Sequence, residues 1–127
     1  MKNKKETKES TEQEKKRTIY HMQAEICSAL ASPVRLQIID LLGEGEKTAS
    51  DLLAVLDIPK ANLSQHLAVL KGAGIIQARK DGVFQYLNLS IPKIKEACTL
   101  VRSVLIEKIS QEEKKNSDLI KELKLKR

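Results

Sequence analysis

Between Ile58 and Leu89 the spacing of apolar residues changes abruptly. In "IPKANLSQHLAVLKGAGI" the leucines Leu63, Leu67 and Leu70 stand three and four apart, the spacing of one face of a helix. Beyond Gly74, "IIQARK" and "VFQYLNL" are runs of strand formers joined at Asp81 and Gly82. An Asp-Gly pair between such runs is a strong hairpin signal and predicts a type I′ turn. A short helix that stops at glycine and gives way to a hairpin narrows the folds open to this chain. The polar positions of that helix are Lys60, Asn62, Gln65 and His66. They supply hydrogen-bonding groups rather than a nucleophile or a ligand cluster, which suits a surface that reads a partner.

Three helices are expected upstream. Ile19, Met22, Ile26 and Leu30 recur at a helical period. "SPVRLQIIDLLG" places Ser32 as N-cap, Pro33 at the first helical position, Leu36, Ile39 and Leu42 inward, and Gly43 as the stop. "TASDLLAVL" restarts at Thr48 or Ser50 with Leu52, Leu53 and Leu56 on one side, and Asp57, Ile58 and Pro59 break it. Downstream of the hairpin a helical pattern returns from Ile91 to Ile109, apolar on more than one side, as expected of a helix with a partner helix or one wholly buried. The fold expected is mainly α with a small β-hairpin, in the order α-α-α-α-β-β-α. Three segments are expected: a charged lead over 1–17, disordered or a frayed helical lead-in; a folded domain over 18–109; and a charged extension over 110–127 that can continue the last helix.

The chain has 127 residues, 41% hydrophobic and 31% charged, enough for one domain with a modest core. Aromatic residues make up 2%, too few for binding single strands by base stacking. No apolar run approaches the roughly 20 residues of a membrane helix, and the N-terminus lacks a signal peptide's apolar region, so a cytoplasmic chain is expected. The formal net charge is +6, most of it in the two tails. No acidic residue occurs from Ile58 to Lys80, while Lys60, Lys71, Arg79 and Lys80 do; from Asp40 to Asp57 there are five acids against one lysine. No nucleophile motif, phosphate loop or metal pair points to an enzyme.

Three helices, a helix reached through a tight turn and then a hairpin make a winged helix-turn-helix, in which the fourth helix enters the major groove of double-stranded DNA and the hairpin reaches the flanking backbone. Asn62, Gln65 and His66 are then suited to base edges, and lysines and arginines at the ends to phosphates.

At these residues a resemblance becomes specific. "ALASPVRLQIIDLL", "TASDLLAVLDIPKANLSQHLAVLKGAGII" and "ARKDGVFQYLNL" look like consecutive blocks of the ArsR/SmtB family of winged-helix repressors, over roughly Met22 to Ile109. The Ser-x-His-Leu-x-x-Leu core at Ser64 to Leu70, with the glycine stop and a basic hairpin, carries it. The resemblance implies a homodimer through the first and last helices, an inverted-repeat operator and release by an inducer. It also implies DNA contacts at Lys60, Ala61, Asn62, Ser64, Gln65 and His66, with Arg79, Lys80 and Gln85 on the wing. Plainer roles stand beside these: a local hydrogen bond for Ser64, a half-buried histidine bonded to a carbonyl for His66, and complementing the helix dipole for Lys71.

No cofactor is required, and the family's usual metal sites have no ligands here. "TASDLLAVL" holds no cysteine, and the last helix has neither His nor Asp between Ile91 and Ile109. Cys27 and Cys98 remain, on the two helices implied to dimerise. They either sense, through a redox-switched disulfide, a persulfide reaction or a thiophilic metal or metalloid ion, or pack as small hydrophobes. His21, six residues before Cys27, is expected at the surface. Two other readings stay open: a DNA-binding protein without inducer sensing, and a winged-helix module that binds another protein.

Overall fold

The computed structural model describes residues 4–125, with side chains from 11 onward. The elements are α1 (Lys4–Leu30), α2 (Pro33–Gly43), β1 (Lys47–Thr48), α3 (Ala49–Val55), α4 (Lys60–Gly72), β2 (Ile76–Asp81), β3 (Phe84–Leu89) and α5 (Lys93–Leu125). The chain divides into two compact units, 1–91 and 92–127. The second unit is essentially α5, whose 33 residues span about 50 Å.

Within the first unit, local chemistry sets each helix boundary. The Ser32 hydroxyl accepts the Arg35 amide at 3.3 Å and Pro33 opens α2. Thr48 is the cap of α3. Its hydroxyl accepts the Asp51 amide at 3.1 Å while the Asp51 carboxylate accepts the Thr48 amide at 2.9 Å, a complete capping box. That backbone hydrogen bond is the main reason the Asp51 carboxyl is held below its ordinary range. Helix α4 ends in a Schellman motif: Gly74 takes φ +75°, its amide bonds the Lys71 carbonyl at 3.0 Å, and the Ile75 amide bonds the Leu70 carbonyl at 3.0 Å. Ile75 and Leu70, brought together by that motif, are both buried.

The sheet is antiparallel in the order β1-β3-β2, with Lys47 opposite Leu87 and Ala78 opposite Leu87 on the other side. Sequence periodicity does not reveal β1, because two residues carry no alternation. It exists by pairing with β3. The hairpin turn also differs from expectation. Asp81 still belongs to β2, opposite Phe84, so the two-residue loop is Gly82-Val83. Gly82 has φ +64° and no non-glycine residue has positive φ among the described residues. A type I′ turn needs two positive φ values; glycine at the first central position alone fits type II′.

The largest wholly buried side chains are Ile38, Ile39, Leu52, Leu63, Leu70 and Leu87, so α2, α3, α4 and β3 meet on one core. Leu36, expected inward, is 39% exposed. The buried stripe of α2 runs through Ile38, Ile39 and Leu42 instead, and Leu36 falls off its edge. Helix α1 begins at Lys4 and runs through the charged lead, the helical of the two forms expected of it. The lead is rich in lysine and glutamate, good helix formers, and Lys15 pairs with Glu12 at 3.5 Å.

Candidate nucleic-acid interface

Helix α4 divides cleanly between an inner and an outer face. Leu63, Leu67 and Leu70 are buried. At about 100° per residue, Ala61 and Gln65 stand opposite that stripe, with Asn62 and Ser64 flanking them and His66 at its edge. Lys60, Ala61, Asn62, Ser64 and Gln65 are all exposed, and His66 is half-buried. None of the side chains of Lys60, Asn62, Ser64 or Gln65 has a partner within the described residues. Pro59 occupies the N-cap without a side-chain hydrogen bond, and its carbonyl accepts the amides of Asn62 and Leu63 at 3.0 and 3.1 Å. The positive end of the helix dipole is therefore open beside Lys60, with no acid in the first turn.

His66 has a partner that sequence reading missed. Arg35 of α2 places Nη1 3.2 Å from His66 Nδ1, while its Nε donates to the Ala29 carbonyl at 2.6 Å and Nη2 to the Ser28 carbonyl at 3.3 Å. Of the two roles weighed for His66, the structure contains a half-buried histidine, though bonded to a guanidinium rather than to a carbonyl. No local sequence signal could pair residues 31 apart.

The wing separates residues that the sequence sets side by side. Arg79 lies opposite Tyr86 and Lys80 opposite Gln85, so the two cations occupy opposite faces of the hairpin. Arg79 is held firmly. Its Nη2 lies 2.7 Å and its Nε 2.9 Å from the Glu46 carboxylate, and its guanidinium sits 4.7 Å from the centroid of the Tyr86 ring. Asn88 also reaches Glu46, at 3.5 Å. The Arg79 hydrogen bond holds the Glu46 carboxyl below its ordinary value and raises that of Arg79. Lys80 has no such partner and is exposed. Gln85 and Lys71 line a cleft of about 510 Å³ with Ser50, Asp51 and Phe84, and Gln85 is itself exposed.

The cysteines differ in environment: Cys27 is exposed on α1 and Cys98 buried on α5. His21 is exposed. Among the described residues no three His, Cys, Asp or Glu side chains group to hold a metal ion. No single helix is long and apolar enough to cross a membrane. Both long helices leave large apolar side chains uncovered, among them Ile19, Tyr20 and Met22 on α1 and Leu100, Val101 and Val104 on α5.

Comparison with known proteins gives a consistent result. A family profile described as a helix-turn-helix domain matches residues 30–77. The HTH-type transcriptional regulator Rv0081 of Mycobacterium tuberculosis is 36% identical over 93 residues, 72% of this chain and 82% of the relative. Its crystal structure superposes with a TM-score of 0.68 at 35% identity, covering 74% of this chain and 95% of that one. The transcriptional repressor SdpR of Bacillus subtilis is 33% identical over 72 residues, 57% of this chain and 80% of the relative. The solution structure of Mb0332 from Mycobacterium bovis, described as a homodimeric winged helix-turn-helix DNA-binding domain of a possible ArsR-family regulator, matches with a TM-score of 0.69 at 29% identity, covering 76% of this chain and 89% of that one. By this relatedness, and by a winged helix-turn-helix assembled from α3, α4 and the β2–β3 hairpin, the chain belongs to the ArsR/SmtB family of transcriptional regulators.

Proposed function

We propose that this chain is a homodimeric, cytoplasmic repressor that binds double-stranded DNA at an inverted repeat, with α4 of each subunit in a major groove and the hairpin against the flanking backbone. The observation that carries the reading is the outer face of α4: exposed amide and hydroxyl groups at Asn62, Ser64 and Gln65 without partners among the described residues, a lysine at its open N-terminal end and no acid in the first turn. A face that docked on protein would expose large apolar residues instead. Ala61 gives close approach, Lys60 and Lys80 meet phosphates, and Gln65 at the centre of the face reads a base edge. The apolar side chains uncovered on α1 and α5 are the surfaces a second copy would cover.

The test is enrichment of duplexes from a random library by the full-length protein, with its mass measured by light scattering. The reading expects a dimer and a two-fold symmetric sequence whose half-sites lie about one helical turn, roughly 34 Å, apart. A monomer, or no enriched sequence, refutes it.

For release from DNA, the thiol reading assigns reactivity to Cys27, whose sulfur is accessible, with Cys98 as the second thiol. A repressor without an inducer is the second reading, favoured by the burial of Cys98, which then packs as a small hydrophobe. Binding measured before and after mild oxidation, and with arsenite, separates the two.

A further inference from the structure

We infer that Arg35 locks His66 as the Nε2–H tautomer, so that the edge of α4 presents a hydrogen-bond donor and selects an acceptor atom on the partner.

The argument begins with what Arg35 can do. A guanidinium has donors only, so the nitrogen that faces it must accept. Arg35 Nη1 lies 3.2 Å from His66 Nδ1, and a neutral imidazole that accepts at Nδ1 carries its proton on Nε2. A doubly protonated ring has no acceptor to offer at this contact.

Arg35 is not free to turn aside. Its Nε and Nη2 are committed to the carbonyls of Ala29 and Ser28, in the last turn of α1 where carbonyls lack helical partners. Its backbone is fixed too, because its amide bonds the Ser32 cap. The end of α1, the start of α2 and the recognition helix are thus tied through one side chain.

The other ring nitrogen is left available. Among the described residues no buried side-chain nitrogen or oxygen of a non-exposed residue lacks a partner. His66 is half-buried and Nε2 has no partner among the described residues, so Nε2 must reach solvent. Its position at the edge of the outer face, one residue from Gln65, puts that donor beside the surface assigned to DNA. The donor's role rests on the DNA-binding reading; the tautomer does not. The acceptor it suits is a phosphate oxygen or a base acceptor in the major groove, a purine N7, guanine O6 or thymine O4, and an N–H group of a base is excluded.

Two measurements test the inference. Long-range nitrogen–proton NMR of the free, uniformly labelled full chain, at a pH where its rings are neutral, reads the tautomer directly, with exposed His21 as the internal reference. The expected result is a single Nε2–H form for His66, which shifts toward the averaged behaviour of His21 in Arg35→Met. A proton on Nδ1, or averaging like that of His21 in the wild type, overturns the lock whatever the protein binds. The second measurement uses anisotropy on the duplex that the wild type enriches from a random library. His66→Asn places an acceptor where Nδ1 was and its amide N–H group one bond short of the Nε2 position, whereas His66→Gln places an amide donor near the Nε2 position. His66→Asn should weaken binding about 3- to 10-fold, the size of one neutral hydrogen bond, and His66→Gln should recover most of it. A loss equal on all sequences assigns the acceptor to phosphate; a loss confined to the enriched sequence, with relaxed choice at one base pair, assigns it to the acceptor edge of that base pair. Unchanged binding in His66→Asn overturns the donor role, as does failure of the wild type to enrich any duplex, while the NMR result still decides the tautomer.

Discussion

Changing Glu46 to Gln should tighten DNA binding, although Glu46 itself is no candidate for a DNA contact. Arg79 spends its guanidinium on Glu46 through contacts of 2.7, 2.9 and 3.0 Å and lies 4.7 Å from the centroid of the Tyr86 ring. To reach a phosphate it must leave both, and also Asp81, whose carboxylate lies 3.9 Å from Nη1. Exchanging one charge-assisted pair for another yields little, so wild-type Arg79 serves as a brace that fixes the wing to the loop before β1. Glu46→Gln keeps the side chain's shape and removes its charge, freeing Arg79 for the backbone of the duplex. One added phosphate contact steepens the salt dependence by about 0.9 in slope, which at about 0.15 M salt amounts to roughly fivefold in Kd. The assay is anisotropy over a salt series on the enriched duplex, for wild type, Glu46→Gln, Arg79→Ala and the double variant. Loss of an acid also raises general attraction, and the double variant isolates that contribution because it has no arginine to release. Arg79→Ala alone should leave the slope nearly unchanged, whereas Lys80→Ala should flatten it by about 0.9. The reasoning is refuted if Glu46→Gln and wild type share one slope, or if Arg79→Ala flattens it as much as Lys80→Ala does.

Three further outcomes follow from the same geometry. Gln65→Ala should relax base preference at one position and cost about 1–3 kcal/mol, measured by repeating the enrichment with the variant; an unchanged preference removes Gln65 from the reading face. Gly74→Ala should cost about 1–2 kcal/mol in urea unfolding, because φ is +75° there and no atom lies within 4 Å of the added Cβ to clash with it, whereas Gly72→Ala, helical and equally open, should gain up to about 1 kcal/mol. Carbon NMR of the carboxylates should show Glu46 titrating below the ordinary glutamate range, because the Arg79 hydrogen bond favours its charged form. The stabilisation is complete above the ordinary value and is lost as pH falls through the lowered one, so the wing amides should shift only in that acid range, and Arg79→Ala should return Glu46 to ordinary titration.

Where a structural decision is made by neighbours in sequence, it was legible before any coordinates. While the start of α3 is legible only as Thr48 or Ser50 until the Asp51 carboxylate, closing the capping box, decides for Thr48, Ser32-Pro33 and Gly74 after Leu63, Leu67 and Leu70 each encode a helix end through groups within a few residues of one another. The hairpin was equally plain, because strand formers on both sides of Gly82 leave few alternatives. Its turn type was not, since Asp81-Gly82 and Gly82-Val83 place the loop one residue apart and only the pairing of Asp81 with Phe84 decides between them. Leu36 and β1 fail for a related reason. Helical spacing says that Leu36 shares a side with Ile39 but not where the buried sector ends, and Lys47–Thr48 becomes a strand only because Tyr86 and Leu87 offer an edge.

The same division runs through the candidate site. Residue types on α4 declared its character, because neutral hydrogen-bonding side chains opposite a leucine stripe need no long-range partner to stay exposed. The residues that discipline them are remote: Arg35 meets His66 across 31 positions and Glu46 meets Arg79 across 33. Each reverses part of a reading based on charge alone. Arg79 is a basic residue on the wing, yet it is neutralised before any partner arrives. His66 is a residue able to donate or accept, yet the donor-only group behind it leaves one choice. A basic patch read from composition therefore overstates the charge that the wing offers and understates how sharply α4 is specified. On the DNA-binding reading, attraction falls mainly to Lys60 and Lys80, while discrimination falls to exposed Gln65 and to His66, whose ring alone among these neutral groups is oriented from inside the fold, by Arg35.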